Sequence, residues 1–159
     1  MPAATLKKFL DENNVRYLVI QHSVAYTSQE LAARMHIHGW ELAKTVLFKA
    51  DGRLIMAVLP APMMVDVEKL RDVAGAKSLV LASEEEFRGR FPDCDLGAMP
   101  PFGRLFDIPT YAEKRLSRDP SIVFPAGSHT EAMRMDTADF ERLARPTIAR
   151  FGNLEPARL

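Results

Sequence analysis

The chain has 159 residues, 47% of them hydrophobic and 26% charged, and its 21 basic and 21 acidic side chains leave no net charge. That length and composition suit one globular domain, because two independent cores in so short a chain would each be marginal. They exclude a membrane-spanning helix, since no window approaches about 18 apolar residues, and a protein that coats nucleic acid through a general basic excess; a local patch gripping one end of an RNA stays open. The opening MPAATLKKFLDENN turns polar too early for a secretory signal, and the single cysteine, Cys94, rules out an internal disulfide framework. The expected compartment is the cytoplasm, and a monomer is the default oligomeric state.

Thr5 to Glu12 places Leu6, Phe9 and Leu10 at helical spacing. Tyr17 to Ile20 reads as a short strand. Thr27 and Glu30 fit a Ser/Thr-x-x-Glu capping box, opening a helix to about Met35 with Gly39 as its terminator. Ala43 to Lys49 and Arg53 to Leu59 flank Asp51-Gly52, a strong hairpin signal. Beyond the Pro60/Pro62 break, Asp66 to Val73 reads as a helix and Ser78 to Leu81 as a strand. Ser83 and Glu86 form a second capping box before a helix that stops near Pro92. Pro92 to Gly103 is too rich in proline and glycine for regular structure. Short strands are predicted near Leu105–Ile108, Ile122–Phe124 and Ala132–Met135, then a helix over Thr137–Ala144. Residues 146–159 read as a loosely held tail, which leaves 1–145 as the domain. Strands arriving in pairs as well as between helices predict a mixed, largely antiparallel α/β fold.

Two features carry chemistry. In Ala43-Lys44-Thr45-Val46-Leu47-Phe48-Lys49, alternation puts Lys44 on the face of Val46 and Phe48. A lysine sharing a face with valine and phenylalanine either snorkels from the strand edge or is placed there for function. In the second case a desolvated ammonium binds carbonyl or phosphate oxygen more strongly than it does in water. The other feature is Gly97-Ala98-Met99-Pro100-Pro101-Phe102-Gly103. Its prolines lack an N–H, so the available donors are the amides of Gly97, Ala98, Met99, Phe102 and Gly103. A stiff loop of outward amides can hold a carbonyl oxygen or a ribose-phosphate end, or it can be a plain turn.

The strand beginning Lys44-Thr45-Val46-Leu47-Phe48-Lys49 resembles that of the YbaK/ProX aminoacyl-tRNA deacylases, relatives of the prolyl-tRNA synthetase editing domain. Gly97 to Gly103 is similar to that family's G-x-x-x-P loop. Val58-Leu59-Pro60-Ala61, Val65 to Leu70 and Ser121 to Asp139 are similar to the segments between and after them. The resemblance covers about residues 5 to 145. It implies a single domain with a curved, mostly antiparallel sheet surrounded by helices. It also implies hydrolysis of the ester joining a wrong amino acid to the terminal adenosine of tRNA, with no metal or dissociable cofactor. Water would be the nucleophile, helped by a ribose hydroxyl. Lys44 would contact the 3′ end, and the amides of Gly97, Ala98 and Met99 would position the carbonyl, with Pro100, Pro101, Phe102 and Gly103 completing the substrate loop.

Among further candidates, His129 and Gly127 lie in a turn that the resemblance places beside the amino-acid pocket, and His22 and Tyr26 precede the first capped helix. Thr45 stands where relatives carry asparagine, a departure that bears on amino-acid choice. His36-x-His38 has no third ligand nearby, which disfavours a metal. Cys94, between Asp93 and Asp95, is a poor nucleophile candidate. The expected partners are the aminoacyl-tRNA 3′ end and an aminoacyl-tRNA synthetase, and the expected substrate carries a small or hydroxylated amino acid, with proline tRNA among the carriers. The alternative is a non-catalytic module that binds aminoacyl-adenosine or a tRNA end and assists a synthetase.

Overall fold

In the computed structural model, residues 4–154 are described, apart from the side chains of Ser28 and Gln29. The elements run α1 (Ala4–Glu12), β1 (Tyr17–Gln21), α2 (Ser28–Met35), β2 (Ala43–Ala50), β3 (Arg53–Pro60), β4 (Met63–Val65), α3 (Val67–Ala74), β5 (Leu79–Leu81), α4 (Glu84–Phe87), β6 (Thr110–Glu113), β7 (Ser121–Ser128), β8 (Glu131–Asp136), α5 (Thr137–Ala144), β9 (Thr147–Ala149) and β10 (Gly152–Leu154), with 3₁₀ turns at Gly103–Phe106 and Lys114–Arg118. The fold is mixed α/β with mostly antiparallel pairing.

Asp51 and Gly52 take φ of 49° and 85°, the pair of positive angles that matches a tight hairpin to strand twist. The turn sets β2 against β3 from Ala50–Arg53 to Ala43–Pro60. This hairpin is the middle of a five-stranded sheet, β5-β2-β3-β6-β9, whose β3-β6 and β6-β9 pairs are parallel. A second sheet, β1-β8-β7, meets it where Leu42 bridges Val123. The Lys49 ammonium lies 2.5 Å from the Glu86 carboxylate and ties α4 to β2. That hydrogen bond, with the Ser83 amide, holds the Glu86 carboxyl down to about 2, so the pair stays ionised at neutral pH.

The main core is aromatic at its centre. Phe102 is fully buried, with edge-to-face neighbours Phe124 at 5.9 Å and Phe140 at 5.5 Å. Leu6 and Leu10 of α1 bury the face expected of them.

Three expectations need correction. α2 ends at His36, which takes the left-handed conformation (φ 55°) and returns its N–H to the helix, so Gly39 is not the terminator. No strand covers residues 105–108. A 3₁₀ turn closes there with Ile108 N–H donating to Gly103 at 2.9 Å, Asp107 turns left-handed, and the strand begins at Thr110.

The third correction concerns the expected tail. Residues 147–154 are part of the fold: β9 pairs with β6, β10 pairs with β4, and Phe151 between them is fully buried. The cause is Glu113, a buried carboxylate that accepts the amides of Phe151 at 2.7 Å and Gly152 at 2.6 Å. Residues 155–159 lie outside the described residues. Glu113→Ala removes the acceptor of both amides at a cost of about 1–3 kcal/mol for each group left unsatisfied. Hydrogen–deuterium exchange should therefore quicken at Phe151 and Gly152; unchanged exchange would mean that other contacts hold the segment.

Candidate functional site

β5 covers the edge of β2 only from Phe48 to Ala50. Toward its start, β2 leaves that partner, and Lys44 and Thr45 line a cavity of about 240 Å³. The same cavity is lined by Gly97, Ala98 and Met99, by His22, Tyr26 and Thr27, and by Ser128 and His129. Lys44 is half-buried.

The turn joining β7 to β8 brings these distant segments together. A register shift between Pro125 and Ser128 makes a bulge, with Gly127 at φ 91°. Gly127 accepts the Asp95 N–H at 2.7 Å and donates its own to Ala98 at 2.9 Å, which fixes the start of the proline loop. On the other side, Ala25 N–H donates to His129 at 3.0 Å and His22 N–H to Thr130 at 2.9 Å. The 22–27 segment and the 95–99 loop are thereby clamped to one hairpin. The His129 ring packs on Tyr26 with centroids 4.8 Å apart, and its Cε1 would sit 3.7 Å from a Cβ at Gly97.

Two residues that line the cavity each carry a buried polar atom with no hydrogen-bond partner among the described residues: His22 Nε2 and Thr45 Oγ1. His22 is oriented by its other nitrogen, 2.7 Å from the Ser23 carbonyl oxygen. A buried polar atom without a partner costs stability, and a small shift of either side chain toward the cavity would let a polar ligand satisfy it.

The proline loop divides in two. Gly97, Ala98 and Met99 line the cavity; Pro100, Pro101, Phe102 and Gly103 do not, and all four are buried. Phe102 is core, and a Cβ on Gly103 would meet Thr110 Oγ1 at 2.3 Å, so that glycine serves close packing. Nor are all the amides outward. Ala98 N–H donates to Asp95 at 3.1 Å, Phe102 N–H to Pro100 at 2.9 Å, and Gly97 N–H meets only the Met99 sulfur, a weak acceptor, at 3.1 Å. Among the described residues, the Met99 amide has no acceptor.

Gly127, expected beside the pocket, lies behind it and holds the loop. Thr27 and Ser128 line the cavity without having been singled out in the sequence. Thr27 is also the cap of α2, accepting the Glu30 N–H at 3.1 Å, and only that local role was legible. Cys94 does not line the cavity, and among the described residues no three His, Cys, Asp or Glu side chains gather as a metal site requires.

Residues 22–143 match the family profile described as the aminoacyl-tRNA editing domain. Over 85 residues the chain is 29% identical to the proline–tRNA ligases of Bacillus cytotoxicus and Bacillus mycoides, an overlap of 54% of this chain but only 15% of each ligase. A solved structure described as a candidate trans-editing enzyme for prolyl-tRNA synthetase superposes with a TM-score of 0.80 at 18% identity, over 95% of this chain and 96% of that one. A hypothetical protein superposes with a TM-score of 0.84 at 15% identity, over 93% and 99%. At these identities the two structures show a shared fold.

Thr45→Val replaces a buried, unpartnered hydroxyl with a methyl of the same shape. Urea unfolding should find the variant as stable as the wild type or up to about 1 kcal/mol more stable. A loss of more than about 1 kcal/mol would mean that the hydroxyl is satisfied within the protein.

Proposed function

This chain belongs to the aminoacyl-tRNA editing domain family, and on that premise we propose that its cavity receives the aminoacylated 3′ end of a mischarged tRNA and hydrolyses the ester, as a free-standing trans-editing deacylase. One observation carries the reading: a single cavity is lined by a lysine, by an amide-bearing loop and by two residues, Thr45 and His22, that each hold a buried polar atom with no partner among the described residues.

The magnitudes fit the chemistry. A cavity of about 240 Å³ is smaller than the roughly 300–1,000 Å³ of sites for drug-sized ligands, which suits one small amino acid with its ester. In this reading Lys44 binds the ribose-phosphate end, and the Met99 amide, with Gly97 beside it, faces the carbonyl oxygen. Water attacks the carbonyl carbon, the ribose oxygen leaves, and the amides stabilise charge developing on the carbonyl oxygen. The ester is already activated, so orientation of water and oxyanion stabilisation supply most of what the reaction needs. That accounts for catalysis without a nucleophilic triad.

Thr45, His22, Ser128 and His129 give polar groups to a lining that also includes Ala25, Leu31 and Pro125. This supports a small or hydroxylated amino acid as the one removed, because polar atoms left unpaired by an apolar side chain would disfavour it. The similarity to proline–tRNA ligases supports proline tRNA as carrier and the cognate synthetase as a partner.

The test is a deacylation screen over mischarged tRNAs. The wild type should hydrolyse at least one, and Lys44→Ala should lower kcat/KM by at least about a hundredfold, the scale of losing one oxyanion-type contact, with unchanged unfolding. Full activity in Lys44→Ala would remove the lysine's role. Tight binding of aminoacyl-adenosine without turnover on any tRNA would make the protein a non-catalytic binder.

A further inference from the structure

The 3₁₀ turn at Lys114–Arg118 brings Lys114, Arg115 and Arg118 beside Arg150, between β9 and β10, and Lys69 of α3. Together they line a groove of about 320 Å³ in which, among the described residues, Glu113 is the one acidic lining residue. The Glu113 carboxylate is turned inward, accepting the amides of Arg115, Phe151 and Gly152. Among the described residues, none of these five basic side chains lies within ion-pair distance of a carboxylate, whereas Lys49 and Arg134, for example, pair with Glu86 and Glu41. Arg115 is held in place over the Trp40 ring at 4.6 Å. A chain with no net charge thus concentrates cations in one place.

The groove and the cavity share one end of one sheet. Lys44 is registered with Leu59, Val58 with Ala112, and Glu113 with Ala149. Carried one residue past the last β3–β6 pair, that register puts Lys44, Leu59, Glu113 and Ala149 in one row across β2, β3, β6 and β9. At about 4.8 Å per strand, Lys44 lies roughly 14 Å from the strand that leads into Arg150.

We propose that this groove binds the phosphodiester backbone of the RNA stem whose 3′ end enters the cavity, which rests on the reading given above. Among the described residues, Met63 is the only large apolar side chain on the lining, so an acidic protein would find little anchor there of the kind that holds protein interfaces together. A row of phosphates needs none, because Lys and Arg donors and counterion release supply the affinity.

The experiment measures binding of an uncharged RNA hairpin with a 3′ overhang by fluorescence anisotropy over a range of salt concentrations. Lys114, Arg118 and Arg150 are exposed, so the triple variant K114E/R118E/R150E should fold, while Arg115 is spared for its packing on Trp40. The triple should bind at least tenfold more weakly and flatten the slope of log affinity against log salt by about 2–3, near one per lost phosphate contact. A control with the same change in net charge, K8E/K77E/R88E, should stay within about threefold of the wild type. Lys44→Ala should keep most of the wild-type salt slope, which separates this proposal from the catalytic one, since no ester is present. Equal losses in both triples, or unchanged affinity and slope in the groove triple, would overturn it. So would an unchanged RNA affinity accompanied by lost binding to polyglutamate, which would assign the groove to an acidic protein.

Discussion

Four backbone hydrogen bonds to the β7–β8 turn hold the site together. The bonds at Gly127 fix the 95–98 loop, and those to the carbonyls of His129 and Thr130 fix the 22–25 segment. The 95–98 loop and the 22–25 segment depend on this clamp, because neither has regular structure of its own to place it, whereas Lys44 and Thr45 are held by β2. The clamp requires a bulge, and the bulge requires a residue at φ 91°, which glycine adopts without a Cβ penalty. A polar lining is held open in this way by rigid neighbours. That is the arrangement a preorganised site needs, because its groups do not have to reorganise when charge develops.

Two of the six buried polar side-chain atoms left without a partner among the described residues belong to residues that line the cavity. Much of the local polar chemistry closes on itself: Thr27, Asp66 and Ser83 begin helices, Glu113 gathers the C-terminal strands, and Lys49 pairs with Glu86. At Thr45 and His22 it does not. A hydroxyl or ring nitrogen buried without a partner costs about 1–3 kcal/mol, a substantial part of a stability of 5–15 kcal/mol. Beside Lys44 and the 97–99 loop, those two residues put polar chemistry on the same cavity.

Much of the fold was legible because its signals are local. The Asp51-Gly52 turn, the Thr27 cap and the helical spacing of Leu6 and Leu10 each act within a few residues, and the structure has the elements they imply. What escaped reading was set by partners distant in sequence. β9 and β10 are three residues each, too short to show periodicity, and they owe their place to a carboxylate 38 residues away from Phe151. The 105–108 stretch looks like a strand but turns because Asp107 goes left-handed and Ile108 closes on Gly103. In the candidate site, Lys44 stood out as a cation among apolar neighbours. The proline loop was marked as one unit, although only Gly97, Ala98 and Met99 reach the cavity and Phe102 belongs to the core. Composition cannot say which half of a Gly/Pro loop faces inward; the aromatic packing of Phe102 decides it.

The central claim is that the Lys44 cavity holds the aminoacyl end of the substrate. Its most direct test is a crystal structure with a non-hydrolysable aminoacyl-adenosine analogue. The account predicts the amino-acid portion between the 97–99 loop and β2, within hydrogen-bond distance of Thr45 Oγ1 or His22 Nε2, with the ribose toward the Lys44 ammonium. An analogue found at another surface, with Thr45 and His22 still unpartnered, would contradict it.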